Sequence, residues 1–322
     1  NINSITIPNT VTSIEYYAFE YCQIGSITVE EGNPKYDSRG GCNAIIITST
    51  NPLLKGSNNT VIPNTVTSIE NFAFEYCFGL TSITIPSSVT SIGYGVFNYC
   101  HLTSITVEEG NPKYDSREGC LVETSTNTLI KGTSNAIIPY GITKIADYAF
   151  NALSFSSISI PSSVTTIGNN VFEYCTNLTS IYCYAPSAGP DGGGYEIFEP
   201  AGVSTGPKLY VLSNRLDYYK GLWSSYADRI EAIPDPSPLT TTSAEEGNWS
   251  TYYNGNVNVQ VDANTTVYKV ALDGDAITLT DTGSKIIKAG EAVVLNSTAS
   301  NITLTYTSTE STGDYTSNSL LG

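Results

Sequence analysis

Apolar and polar residues follow one another in a phrase that returns along most of the chain. In "LTSITIPSSVTSIGYGVFNYC" (residues 80–100) the fixed positions are Leu80, Ile83, Ile85, Pro86, Val89, Ile92, Phe97 and Cys100. Ile83 and Ile85 flank Thr84 at period two, which predicts a half-buried strand that Pro86 ends. Val89 and Ile92 form a second apolar pair, and Gly93 with the compact spacing behind it predicts a turn and a short helical or 3-10 piece rather than a full helix. The phrase returns as "NTVTSIEYYAFEYC" at 9–22, "NTVTSIENFAFEYC" at 64–77 and "SSVTTIGNNVFEYC" at 162–175. Phe74 to Phe97 is 23 residues and Phe150 to Phe172 is 22, within the roughly 20–29 residues of leucine-rich repeats. One such unit buries too little to offset its own ordering, so the units must stack and share a core. The predicted fold is a β-rich leucine-rich-repeat solenoid.

Two units are longer. Phe19 to Phe74 is 55 residues and Phe97 to Phe150 is 53, and each holds a copy of "SITVEEGNPKYDSR", at 26–39 and again, 78 positions on, at 104–117. After it come "NAIIITSTNPLLKG" and "LVETSTNTLIKG", which predict β-hairpins turning at Ser49–Pro52 and Ser125–Thr128 and closed by Gly56 and Gly132. A long-plus-short pair is therefore the duplicated unit, with "EEGNPKYD" as the turn into each hairpin.

These residues carry a resemblance. "LTSITIPSSVTSIGYGVFNYC" resembles the repeat of BspA-like leucine-rich repeat proteins, a surface family of Bacteroides-type bacteria and some mucosal protozoa, over about residues 1–233 in five copies of the register. The resemblance implies an exported protein, at the cell surface or secreted, with host or bacterial surface and matrix proteins as partners, since several members are linked to adhesion. "NINSITIP" opens inside a strand register with no cap, so an upstream segment carrying a signal and a lipid anchor is expected.

The register breaks at 208–233, "KLYVLSNRLDYYKGLWSSYADRIEAI". Ser213 is expected to N-cap a short helix carrying Leu216 and Tyr219, with Gly221 at its C-terminus and Trp223 covering the last coil. A stiff linker, "PDPSP" within 234–239, follows. Residues 240–322 alternate at strand period in "NVNVQV", "TVYKVAL", "AITLTD", "EAVVLN" and "NITLTY", which predicts a small, sandwich-like all-β domain. Its "WSTYY" and "IIKAGEAVVLN" segments resemble a C-terminal β-domain of Bacteroides-type surface proteins. That pattern normally runs past "NSLLG", so the domain is expected to be truncated.

The charge of −16, with only 14 Lys and Arg in 322 residues, argues against nucleic acid and anionic membrane surfaces. No apolar run approaches the roughly 20 residues of a membrane span. Among seven cysteines, Cys22, Cys77, Cys100 and Cys175 share one repeat position, where the fifth copy has Leu153. A position that accepts Leu is an apolar core site, so free buried thiols are expected rather than a zinc site or a disulfide framework. Cys42, Cys120 and Cys183 are expected to be packed as well.

Catalytic chemistry finds few candidates. His101 is the single histidine, and its repeat equivalents, Gln23, Phe78, Ser154 and Thr176, mark an unconstrained turn. Glu30-Glu31 and Glu108-Glu109 follow one another in turns instead of facing across a substrate. "GPDGGG" at 189–194 lacks the Lys-Ser/Thr of a phosphate loop and is expected to be a flexible insertion. Asp273 and Asp275 fit a hairpin turn or a weak calcium site. The chain is therefore expected to be no enzyme, to need no cofactor, and to bind ligands.

Two surfaces are candidates. Outward strand positions, Thr6, Thr28, Val61, Thr84, Thr106, Ile137, Ser159 and Tyr182, are expected to form a flat, hydroxyl-bearing face for protein ligands, although Thr is also simply a good strand former. Tyr21, Tyr76, Tyr99 and Tyr174 are expected to stack in a column that either packs coil edges or binds ligands. The alternative function is carbohydrate binding, through that column or the β-domain.

Overall fold

The structure, a computed structural model, describes residues 2–15, 18–190, 206–233, 239–240, 242–244, 247–254, 259–273, 276–287, 291–297, 301–302 and 304–306. Residues 234–238 of the expected linker, the Gly-rich stretch 191–194, Asp275 and the chain after 306 lie outside them, while Leu239, placed at the linker's end, pairs in a short strand, Leu239–Thr240, with Asn301–Ile302. The architecture is a leucine-rich-repeat β-solenoid, a short helical segment, and small antiparallel sheets. Two compact units are distinguished: Asn1–Ser156 with Thr166–Thr179 and Pro190–Pro207, and Ser157–Thr165 with Ser180–Gly189 and Lys208–Gly322.

In the first unit the Ile-Pro segments form parallel ladders. Ile2–Ile7 pairs with Ile24–Val29, and Ser82–Ile85 with Ser104–Val107. Ile83 and Ile85 are buried while Thr84 between them is exposed, as the alternation demands. A second set of short strands runs along the other edge of the coils: Pro52–Gly56, Ser68–Ile69 and Ser91–Ile92 in one sheet, Thr128–Lys131, Lys144–Ile145 and Thr166–Ile167 in another.

Between the strand edges, the Phe-bearing segment forms tandem turns rather than a helix. Glu75 N bonds Phe72 O and Cys77 N bonds Phe74 O, so the local bonds are of the i to i−3 type. Left-handed residues, Phe72 (φ 57°) and Tyr76 (φ 62°), interrupt them. That twist turns the N–H groups of Phe72, Phe74 and Tyr76 toward the Tyr94, Val96 and Asn98 carbonyls of the next coil. The stacking of coils is thus hydrogen-bonded here too, and Tyr occupies a backbone conformation that costs a non-glycine residue about 1 kcal/mol or more.

The two long coils carry the expected hairpins with one strand more. Tyr36–Asp37, Ala44–Ile47 and Pro52–Gly56 form an antiparallel meander, as do Tyr114–Arg117, Cys120–Glu123 and Thr128–Lys131. The added strand comes from the end of the duplicated peptide. Phe74 stacks on Phe97 at 5.5 Å and Phe150 on Phe172 at 5.7 Å, forming the aromatic spine of the core. Gly56 and Gly132 do more than close hairpins: a Cβ there would come within 2.1 Å of the Phe74 or Phe150 ring. Lys55 and Lys131 are buried, and Lys131 Nζ donates to Tyr148 O, Asn151 O and Asn151 Oδ1, tying down the carbonyls of a left-handed turn.

In the second unit Ser157–Ile160, Ser180–Cys183, Lys208–Val211 and Ile230–Ala232 form a four-stranded parallel sheet. The helical segment differs from expectation in its ends. Ser213 lies inside a 3-10 turn, Ser213–Arg215, that runs into the helix Leu216–Leu222, so Arg215 takes the N-cap position with no side-chain bond. Gly221 sits inside that helix, and Trp223 is the C-cap, its N–H bonding Tyr219 O. Tyr219 does cover the coil: its buried hydroxyl donates to Ala185 O (2.6 Å), accepts from Ala188 N (3.1 Å), and its ring stacks on Trp223 at 5.0 Å. Farther on, a five-stranded antiparallel sheet centred on Glu291–Ser297 and a three-stranded sheet centred on Val259–Val261 share one core, with Val267, Val293 and Leu295 meeting Val259, Ile287 and Leu304. This is the sandwich-like arrangement the alternation predicts.

Candidate functional site

The outward strand face is present in pieces. Thr6 lies opposite Thr28 and Thr84 opposite Thr106, all four exposed. In the second unit Ser159 lies opposite Tyr182, both half-buried, and Tyr182 stacks on Tyr210 at 4.9 Å, a partner the motif did not reveal because Tyr210 lies past the last regular repeat. Val61 and Ile137 are not in strands. Their N–H groups are taken by Cys42 O and Glu118 O at the mouths of the inserted meanders, so the ladder skips these coils. Both side chains still point outward, 72% and 62% exposed. The single flat sheet expected from the motif is instead a set of short ladders, interrupted by apolar knobs.

The tyrosine column is built by the left-handed turns. Tyr21 and Tyr76 meet at 4.9 Å, Tyr76 and Tyr99 stack at 4.5 Å with rings 4° from parallel, and Tyr99 meets Tyr174 edge-on at 5.6 Å. Tyr21, Tyr76, Tyr99 and Tyr174 all have φ between 56° and 62°, and Ala152 takes the same conformation (φ 57°) at the same repeat position. Ala152 belongs to the coil between the last two tyrosines: Tyr99 N donates to Asn151 Oδ1 on one side, and Ala152 N bonds Glu173 O on the other. With a methyl group where its neighbours carry rings, that coil opens a groove of about 700 Å³. Tyr76, Phe78, Tyr99 and His101 line one part of it, and Ser134, Leu153, Ser154, Tyr174 and Thr176 are among the residues lining the rest.

Electrostatics in the groove are mild. Burial pushes the Tyr76 phenol up to about 12, and burial with the Glu173 carboxylate holds Tyr99 well above the ordinary range. Both phenols therefore keep their protons at neutral pH, and the Tyr99 hydroxyl donates to Glu173 Oε2 at 3.2 Å. His101 is exposed, as a turn residue should be, but its ring packs on Phe78 at 5.3 Å, so it belongs to the groove wall. Sequence reasoning missed the groove because its cause is the residue that lacks a ring; the signal was Ala152 standing at the tyrosine position.

The ladder cysteines lie where a core position predicts. All seven thiols are free, and every one but the half-buried Cys22 is buried. Cys100 Sγ donates to Phe74 O (3.1 Å) and Cys175 Sγ to Phe150 O (3.0 Å), each reaching back one coil. Among the described residues no group of three or more His, Cys, Asp or Glu could hold a metal ion. Glu30 and Glu108, the first of each turn pair, cap backbone N–H groups: Glu30 Oε2 accepts from Asn9 N and Glu108 Oε2 from Ser87 N.

Parallel ladders, tandem turns and 22–23-residue spacing place the molecule among leucine-rich-repeat solenoid proteins. The sequence matches the pattern of the BspA type leucine rich repeat region in six copies, over residues 1–42, 55–120 and 123–187, and the chain belongs to this family. No curated protein matches it. Among solved structures it is similar to a leucine rich cell surface protein of Faecalibacterium prausnitzii, at 23% identity over 65% of this chain and 69% of that one, with a TM-score of 0.41. It is also similar to a leucine-rich repeat protein of Eubacterium ventriosum (18% identity, 66% of each chain, TM-score 0.37). The pneumococcal vaccine antigen PcpA is a third (17% identity, 73% of this chain and 80% of that one, TM-score 0.34). Among the described residues no helix is long and apolar enough to cross a membrane.

Proposed function

We propose that this is a non-catalytic, exported bacterial protein, at the cell surface or secreted, that binds protein ligands through the strand face of its solenoid. Membership of the BspA type family supports the localisation. One observation carries the binding mode: Thr84 and Thr106 stand side by side and exposed on the ladder, while the flanking coils present Val61 and Ile137 at the equivalent position. Uncharged hydroxyls cost less to desolvate than charged groups and can be paired by a polypeptide partner, and exposed aliphatic side chains supply the apolar anchors a protein interface needs. The carboxylates and the histidine are used otherwise: Glu30 and Glu108 cap turns, and His101 packs on Phe78.

Immobilised full-length protein should capture one or more purified extracellular-matrix proteins or mucins from a defined panel with a Kd of micromolar or tighter. Capture of none of them, or turnover of a bound ligand without added enzyme, would contradict this function.

A further inference from the structure

We propose that the groove opened by Ala152 is a binding site for a neutral glycan, a short chain of uncharged pyranose units. This goes beyond protein binding by the strand face and does not depend on it. The site exists because one coil departs from its siblings. Four coils carry Tyr at the left-handed position after the core Phe, and in the coil of Phe150 that place is held by Ala152. The column, with centroids 4.5 to 4.9 Å apart from Tyr21 to Tyr99, changes there to an edge-on meeting of Tyr99 and Tyr174 at 5.6 Å, and both rings line the groove beside Ala152.

The lining selects the ligand class. No Asp, Glu, Lys or Arg is among the lining residues, and the chain carries a net charge of −16, so an anionic ligand gains nothing there and is repelled at long range. Phenol rings at Tyr76, Tyr99 and Tyr174 offer flat faces with polar tips, the complement of a pyranose with its C–H face and peripheral hydroxyls. Ser134, Ser154 and Thr176 add aliphatic hydroxyls that can pair with sugar hydroxyls, Ser154 Oγ already accepting from Asn177 Nδ2. The Tyr99 hydroxyl, fixed by its bond to Glu173, keeps its oxygen as an oriented acceptor. At about 700 Å³ the groove lies within the roughly 300–1,000 Å³ of small-ligand sites.

The test uses the full-length protein on an array of neutral, sialylated and sulfated oligosaccharides with a proline-rich peptide as control, the hits being titrated by calorimetry. Neutral glycans should bind in preference to charged ones. Ala152→Tyr, which installs the residue that four other coils already hold at this backbone conformation, should fold normally and weaken binding at least tenfold. Tyr174→Ala, at a side chain 45% exposed, removes a wall without touching the core and should weaken binding about as much; it decides the matter if Ala152→Tyr does not fold. The double variant Thr84→Glu with Thr106→Glu should leave glycan affinity unchanged, which separates this site from the strand face. Absence of neutral-glycan binding at millimolar concentration, preference for charged glycans or the peptide, or affinity indifferent to Ala152→Tyr and Tyr174→Ala would overturn the proposal.

Discussion

Thiols show what a single repeat position tolerates. Leu153 at the cysteine position of its coil means that shape and apolarity decide occupancy, yet the thiol adds something Leu does not, an S–H that satisfies a carbonyl of the preceding coil. Burial pushes Cys77 and Cys175 up to about 11, far from the thiolate that reacts. Native protein should therefore modify at Cys22 alone within minutes of adding a small thiol reagent, and denatured protein should titrate all seven; mass spectrometry before and after denaturation reads both. Rapid modification of the buried ladder thiols, or a disulfide among them, would contradict this environment.

At the scale of elements, the exact duplication of fourteen residues has a physical cause. Glu30 and Glu108 cap the preceding coil, Asn33 and Asn111 clamp it, and Tyr36 and Tyr114 accept from Ile14 N and Ile92 N. Ser38 and Ser116 accept from Val29 N and Val107 N, while Gly32 and Gly110 hold φ at 83° and 82°. Asn111 donates to Pro86 O and Val89 O and accepts from Lys113 N and Tyr114 N, as Asn33 does with Pro8 O, Val11 O, Lys35 N and Tyr36 N. Losing four bonds worth roughly 0.5–1.5 kcal/mol each, Asn111→Ala should destabilise the protein by about 2–6 kcal/mol in urea unfolding. A loss below about 1 kcal/mol would show that water replaces the clamp.

That element also marks where sequence stopped being informative. The Ile-x-Ile-Pro strand and the Phe spine were legible because burial imposes period two and a fixed repeat length, and those are local signals. The bonds Asn111 donates were not, because their acceptors lie 22 and 25 residues back in another coil. Val61 and Ile137 carry the same Ile-Pro signature as the strands but lose their ladder to the carbonyls of Cys42 and Glu118, a competition settled only in three dimensions. The tyrosine column was legible as a repeat position; its groove was not, since Ala152 reads as an absence. Ser213 has cap chemistry, yet the chain enters the helix through a 3-10 turn and leaves that chemistry unused.

Over the whole molecule, buried titratable groups set the pH range of stability. Burial lowers Lys131 to about 8 from 10.5, so above pH 8 the native amine is neutral while the unfolded one is still charged. The unfolded chain then binds more protons, and this group adds stability as pH rises, by about 1.4 kcal/mol per unit, until the unfolded lysine titrates. Thiols act in the opposite sense. Cys77, Cys175 and Cys183 are pushed up to about 11, Cys120 to about 12, and Cys100 upward as well, from an ordinary 9.0. Above pH 9 the unfolded chain has released protons that these native thiols retain, so stability falls with pH on the order of 5 kcal/mol per unit at its steepest. Urea unfolding should show a nearly level stability from about pH 7 to 8, where the lysine and the thiols offset one another, a slight loss from about pH 8 to 9 and a steep loss beyond; a flat profile to pH 11 would mean the core admits water.

Binding through the strand face is tested most directly by charge placed at its centre. Thr84→Glu with Thr106→Glu sets two carboxylates side by side on an exposed ladder, leaving Ile83, Ile85 and Ile105 in the core untouched. Burying such a like-charged pair in an interface costs several kcal/mol, so the affinity for any protein captured by the unmodified chain should fall at least a hundredfold, measured by calorimetry on the full-length double variant with its unfolding midpoint checked alongside. Unchanged affinity in a variant that unfolds like its parent would contradict recognition at this face.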